Sequence, residues 1–144
     1  MTLSQQTGLA LLRIAFGVLL FAHGYVLKVE TFTVAGTVGF FESLGLPAIA
    51  AYAVIFAEVA GGLALIVGFL TRLTAWLSVP VMLGATWVHL GNGWVFSAQG
   101  GGWEFPALLV VLAVTLGLTG PGRWALDQHP WVHTRLPAWL GQPA

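Results

Sequence analysis

Four long runs of apolar residues dominate this 144-residue chain, spanning Gly8 to Leu27, Leu46 to Leu70, Leu73 to Leu90 and Trp103 to Thr119. Each approaches the ~20 residues that an α-helix needs to cross the hydrocarbon core of a bilayer. The runs are continuously apolar and lack the sustained alternation of a transmembrane strand, so the chain reads as helical. Composition removes the soluble alternative. Hydrophobic residues make up 58% of the chain and charged residues 7%, against about 25% charged in ordinary globular proteins. With a mean hydropathy of +0.89, too few polar groups exist to cover a water-facing surface, and the solvent must be largely lipid. The expected fold is all-α: a polytopic four-helix transmembrane bundle over residues 1–122 with an interfacial first loop, followed by a Trp-rich membrane-surface tail over residues 123–144.

The same composition limits function. Five basic residues balance five acidic ones, which leaves no electrostatic footprint for nucleic acid. There are no cysteines. Disulfides, thiolate metal sites and a dithiol relay within this chain are therefore excluded, and electron chemistry would need a bound cofactor or a partner. The opening MTLSQQ lacks a basic n-region and Arg13 interrupts the first apolar run, so the N-terminus reads as a span and not as a cleaved signal. Arg72, Arg123 and Arg135 fall on one side of the expected topology and Lys28 on the other. The positive-inside rule then places both termini in the cytoplasm.

The connections differ in character. A tight turn around Thr71 and Arg72 makes spans two and three an antiparallel hairpin, whereas KVETFTVAGTVGFFESLGLP, with Phe32, Phe40 and Phe41, suits a segment lying in the outer interface. Trp124, Trp131 and Trp139 suit a tail at the level of the inner head groups. Small residues recur at four-residue spacing as Ala57 and Gly61, and as Ala60, Ala64 and Gly68. Such faces are expected to let helix backbones approach closely in lipid.

Ionisable residues within the spans are the informative minority, because each costs ~2.5 to 3.5 kcal/mol at the bilayer centre. Counted from the outer ends of their spans, Arg13 lies about 20 Å deep and Glu58 about 18 Å deep at 1.5 Å per residue. That match predicts a buried Arg13–Glu58 ion pair. His23 sits about 15 Å nearer the outside than Arg13. Span three ends at His89 and span four begins at Glu104, on either side of the glycine-rich HLGNGWVFSAQGGGWEF. The topology thus gathers His23, Lys28, His89 and Glu104 at one end of the bundle. Histidines and a carboxylate at such a mouth can hydrogen-bond the two oxygens of a quinone head group and exchange its protons, leaving the tail in lipid. A metal is the other chemistry open to these side chains, although the i, i+3 and i, i+4 His/Glu pairs of carboxylate-bridged bundles are missing. No G-x-S-x-G or phosphate-cradling loop is present.

Several ordered motifs carry a family resemblance: LRIAFGVLLFAHGYVLK at residues 12–28, FFESLGLP, AEVAGGLALIVGFLTR at residues 57–72, HLGNGW, GGGWEFP, and GPGRWALD at residues 120–127. With them the chain resembles the DoxX family of small four-helix membrane proteins, similar to the DoxD-type membrane subunit of thiosulfate:quinone oxidoreductase. The resemblance implies quinone-linked work with a partner redox protein at the inner (cytoplasmic) membrane of a bacterium or archaeon. Positions matching the family's recurrent polar motifs are Arg13, His23, Gly24, Lys28, Glu58, His89, Asn92 and Glu104. The resulting expectation makes His23 and His89 proton-exchanging partners of a quinone, with Glu104 as the proton conduit. Arg13, Lys28, Glu58 and Asn92 are expected to bind or tune the cofactor, and haem or a metal stays open beside quinone. Two other classes compete with this one. The chain could be a non-catalytic membrane anchor or assembly scaffold of a larger redox complex, or a carrier for a small hydrophobic or weakly acidic solute, which would need a homo-oligomer to form a pathway.

Overall fold

The computed structural model describes residues 1–135 and 137, and among these it is helical throughout, with no strand. Helix α1 (Leu3–Phe21) runs directly into a π-helical segment (Ala22–Thr31). It is followed by α2 (Val34–Ser43), α3 (Ala48–Val67) and α4 (Thr71–His89), which ends in a 3₁₀ turn at Leu90–Asn92. After the glycine-rich loop come α5 (Glu104–Thr119), a 3₁₀ turn at Leu126–Gln128 and the single turn α6 (Pro130–His133). Three helices, Leu3–Thr31, Ala48–Val67 and Thr71–Asn92, are long and apolar enough to cross a membrane. The fourth, α5, has 16 residues and reaches ~24 Å.

Two pairings build the bundle, α1 on α3 and α4 on α5. Phe16, Leu20, Leu65, Met82, Leu109 and Leu116 fill the core between them. Large apolar residues such as Leu11, Val18, Phe56, Leu77, Val111 and Leu118 face outward. An apolar exterior around an apolar core is the arrangement of a helical membrane protein. Lipid gives helices little hydrophobic reason to associate, so α1 and α3 meet through backbone proximity. A Cβ on Gly62 would stand 2.6 Å from the Phe21 nitrogen, and one on Gly17 would stand 2.8 Å from the Gly62 oxygen. The close approach therefore falls on Gly62. The expected faces at Ala57, Ala60, Gly61 and Ala64 instead line an apolar groove between α3 and α4.

Arg13 and Glu58 do not form the expected ion pair. Arg13 is fully buried, and its guanidinium donates to five carbonyls: Nε to Pro121, one terminal nitrogen to Leu65 and Ile66, the other to Arg123 and Trp124. Glu58 accepts from Lys28. The depth count erred because the first span continues four residues past Leu27 to Thr31 and α3 starts two residues after Leu46. Those six residues amount to ~9 Å of helix, about the seven-residue step that separates Glu58 from Leu65.

The Arg13 clamp also moves the end of the bundle. Residues 121–127 fold onto it, with Asp127 buried and its two carboxylate oxygens accepting from the backbone N–H groups of Leu70 (2.7 Å) and Thr71 (2.9 Å). A carboxylate there satisfies orphan donors at the start of α4 and complements its dipole. The segment 123–127, expected to belong to the tail, is thus part of the packed unit. Trp124 and Trp131 are exposed, while Trp139 lies outside the described residues.

Candidate functional site: a histidine-lined cavity beside a buried ion pair

The π-helical segment positions the first half of the site. In an α-helix, residues five apart diverge by about 140° around the axis. In a π-helix they form the hydrogen-bonded pair, as the Phe32 N–H to Leu27 carbonyl bond at 2.8 Å illustrates. His23 and Lys28 stand at this spacing and line the same cavities. Gly24 faces α3, where a Cβ would meet the Glu58 Cβ at 2.8 Å. That absence of a side chain lets Glu58 approach. Lys28 Nζ donates to Glu58 Oε2 at 2.6 Å, with side chains 19% and 5% exposed respectively.

His89, at the end of α4, supplies the second half. Its Nδ1 lies 3.1 Å from each of the Gly100 and Gly101 carbonyls. Both glycines have positive φ, +83° and +79°, a backbone that L side chains rarely adopt, and this conformation directs both carbonyls at one ring nitrogen. Carbonyls only accept, so His89 Nδ1 is the donor of these bonds, which leaves Nε2 as the ring nitrogen not engaged by them. The same argument holds for His23, whose Nδ1 donates to the Leu19 carbonyl at 2.8 Å. Two imidazoles anchored through Nδ1 thus line shared cavities, each with Nε2 outside those bonds.

Three neighbouring cavities share Lys28 and His89. A small inner one of about 130 Å³ is lined by His23, Lys28, Glu58, Met82, His89 and Phe105 among others. Phe105 lies beside His23, with ring centroids 6.3 Å apart. A larger one of about 800 Å³ opens between the π-helical segment and α2, past Leu27, Phe32, Phe40 and Phe41. A third, of about 260 Å³, runs between α3 and α4 past Leu46, Val54 and Pro80. Helix α2 roofs the site, tied down by Thr37, whose hydroxyl donates to the Lys28 carbonyl at 2.9 Å. The expected interfacial loop is therefore a short helix covering the cavities. A largely apolar chamber carrying four polar side chains, His23, Lys28, Glu58 and His89, suits an amphipathic ligand.

The other expected site residues lie elsewhere. Glu104 accepts from the Phe96 N–H at 2.9 Å. It lines another apolar hollow with Trp94, Phe96, Phe105 and Leu108, whose lining includes neither His23 nor His89. A proton conduit through Glu104 is not what the geometry supports: its carboxylate fixes the loop at the start of α5. Asn92 donates to the Gly100 and Gly101 carbonyls at 2.9 Å and holds the acceptors of His89 in place without lining the cavities. Arg13 is absent from their linings too. Sequence reasoning missed the Lys28–Glu58 pair, the π-helical stagger and the roofing role of Thr37. The pair had a signal, since both residues were expected within or next to spans, but the shifted register hid it. Among the described residues, no group of three or more His, Asp and Glu side chains is placed to hold a metal ion.

Comparison with known proteins places these features in a family context. The family model described as DoxX matches residues 8–91. The chain is 34% identical over 128 residues to "Putative oxidoreductase CatD" of Bacillus subtilis (strain 168), covering 88% of this chain and 90% of that protein. It is 32% identical over 96 residues to "Inner membrane protein YqjF" of Escherichia coli (strain K12), covering 65% of this chain and 72% of that protein. No solved structure matches the chain.

Proposed function

The chain belongs to the DoxX family, and from that premise we propose that it binds quinone or quinol and assists electron or proton transfer with a partner redox protein. The observation that carries this reading is the pair of imidazoles with Nδ1 pinned to backbone carbonyls, lining one chamber that adjoins apolar space under α2. A quinol hydroxyl donates to a neutral Nε2, and the ring takes the proton as the head group is oxidised. In the reverse direction, Lys28 Nζ donates to a quinone oxygen. His89 stands next to the glycine-rich loop and provides the way out for the proton. The apolar tail leaves past Phe32 and Phe40 into lipid. Electrons pass to or from the partner; the chain has no cysteine for a dithiol relay of its own. The inner-membrane relative supports an inner membrane location, and the distribution of Arg72, Arg123 and Arg135 supports cytoplasmic termini.

The test is organic extraction and an ultraviolet oxidised-minus-reduced spectrum of the purified protein, repeated for His23→Leu and His89→Leu. Retained or added quinone should give a difference spectrum that both variants lose. A wild-type protein that neither retains nor takes up quinone from mixed micelles would end this reading. One observation favours a second reading, a non-catalytic anchor of a redox complex: the apolar groove lined by Ala57, Ala60, Gly61 and Ala64 is left open by the chain's own helices. Co-purification with a redox complex whose activity survives deletion of this chain would support the anchor.

A further inference from the structure

Across the three cavities, Lys28 and Glu58 are the charged side chains that line them. They are bonded to each other at 2.6 Å. The facing groups from the packed elements are His23 and His89, each donating from Nδ1 to a backbone carbonyl, Thr31 and Thr37, and the aromatic and aliphatic side chains of α2, α4 and α5. Lys28 and Glu58 compensate each other inside the wall, so the pair presents no net charge to a ligand. A buried charge left without a partner is strongly unfavourable, and a ligand bringing one into this chamber would have to break the pair or stay uncompensated.

We infer that the Lys28–Glu58 pair is the specificity determinant of the cavity, selecting uncharged hydroxy-aromatic or quinonoid head groups and rejecting phenolates, carboxylates and ammonium groups of the same size. This deepens the proposed function and rests on it. The inference turns on which charge is released. Removing the carboxylate frees Lys28 Nζ, which lines all three cavities, to pair with an anion. Removing the ammonium leaves Glu58 to pair with a cation.

The experiment measures binding of three single-ring probes to the purified full chain in nonionic micelles at neutral pH: methylhydroquinone, 4-hydroxybenzoate and tyramine. Wild type should bind methylhydroquinone at least ~10-fold more tightly than either charged probe, about 1.4 kcal/mol. Glu58→Gln should tighten 4-hydroxybenzoate by ~10-fold, and Lys28→Met should tighten tyramine similarly. The double variant should return to preferring the uncharged probe. Glu58→Asp, which keeps the charge but shortens its reach, should give a smaller gain for the anion and serves if a single neutral variant does not fold. Equal binding of the three probes by wild type overturns the inference, whatever the variants do. So does an unchanged affinity for 4-hydroxybenzoate in a folded Glu58→Gln protein. Failure of every probe to bind wild type strikes instead at the quinone-binding reading.

Discussion

Replacing Arg13 separates a structural role from a ligand-binding one. Its five donated bonds reach the last turn of α3, at Leu65 and Ile66, and the segment Pro121–Trp124. Arg13→Met deprives the Pro121, Arg123 and Trp124 carbonyls of the bonds they accept here. A buried acceptor left unsatisfied costs ~1–3 kcal/mol; the Pro121 bond is buried and those to Arg123 and Trp124 are partly so, which together amounts to ~3 kcal/mol. Arg13→Lys keeps the charge and offers three donors from one point in place of the planar fork, so it should recover about half of that loss. A 3 kcal/mol change raises the unfolded fraction more than ~100-fold. The assay is reversible unfolding in mixed micelles, read alongside quinol-analogue binding by the fraction that stays folded. The ranking should be wild type, then Lys, then Met in stability, with little change in affinity per folded molecule. A stable Arg13→Met protein that has lost the ligand would refute the argument, because it would put Arg13 in the site and not in the clamp.

Four further outcomes follow. Asp127→Ala removes both acceptors at the start of α4 and should cost ~2 kcal/mol in the same unfolding assay, the upper end for a lost cap. Gly62→Val should force α1 and α3 apart at the Phe21 and Gly17 backbone, lowering folded yield sharply in fluorescence-detected size-exclusion chromatography. Gly101→Ala imposes a side chain on a residue at φ +79°, costing ~1–2 kcal/mol, and should weaken quinol-analogue binding by loosening His89. Glu104→Gln, whose carboxylate bonds the Phe96 N–H outside the cavity, should leave that affinity within about twofold.

The membrane bundle was legible because the cost of polar groups in lipid writes itself into composition and run length. The meeting of His23, His89 and Lys28 was legible too, since antiparallel spans leave few choices of which ends meet. Register was harder to read. The π-helical segment Ala22–Thr31 begins inside an apolar run and continues through Lys28 and Glu30, so hydropathy marked the helix end at Leu27 and misaligned Arg13 with Glu58. Arg13 misled for a second reason. An intramembrane cation suggests a carboxylate partner, yet a guanidinium is equally satisfied by carbonyls at a helix C-terminus and an irregular segment, and sequence carries no mark of where those carbonyls gather. Glu104 lies close in sequence to Phe105 and Pro106, which do line the inner cavity. The first-turn direction of α5 sends the carboxylate to the loop instead, a distinction of one residue around a helix that topology alone does not resolve.

The central claim concerns the free nitrogens of two histidines, and ¹⁵N NMR of histidine-labelled protein in bilayers reads them directly, with assignments from single His→Gln replacements. The account predicts Nδ1–H tautomers at His23 and His89, and the opposite tautomer at His129, whose Nδ1 accepts from the Trp131 N–H at 3.3 Å. Saturation with a short-tail quinol should shift the Nε2 resonances of His23 and His89 and leave His129 unmoved. Unshifted Nε2 resonances at both cavity histidines, under conditions where the quinol is bound, would contradict it.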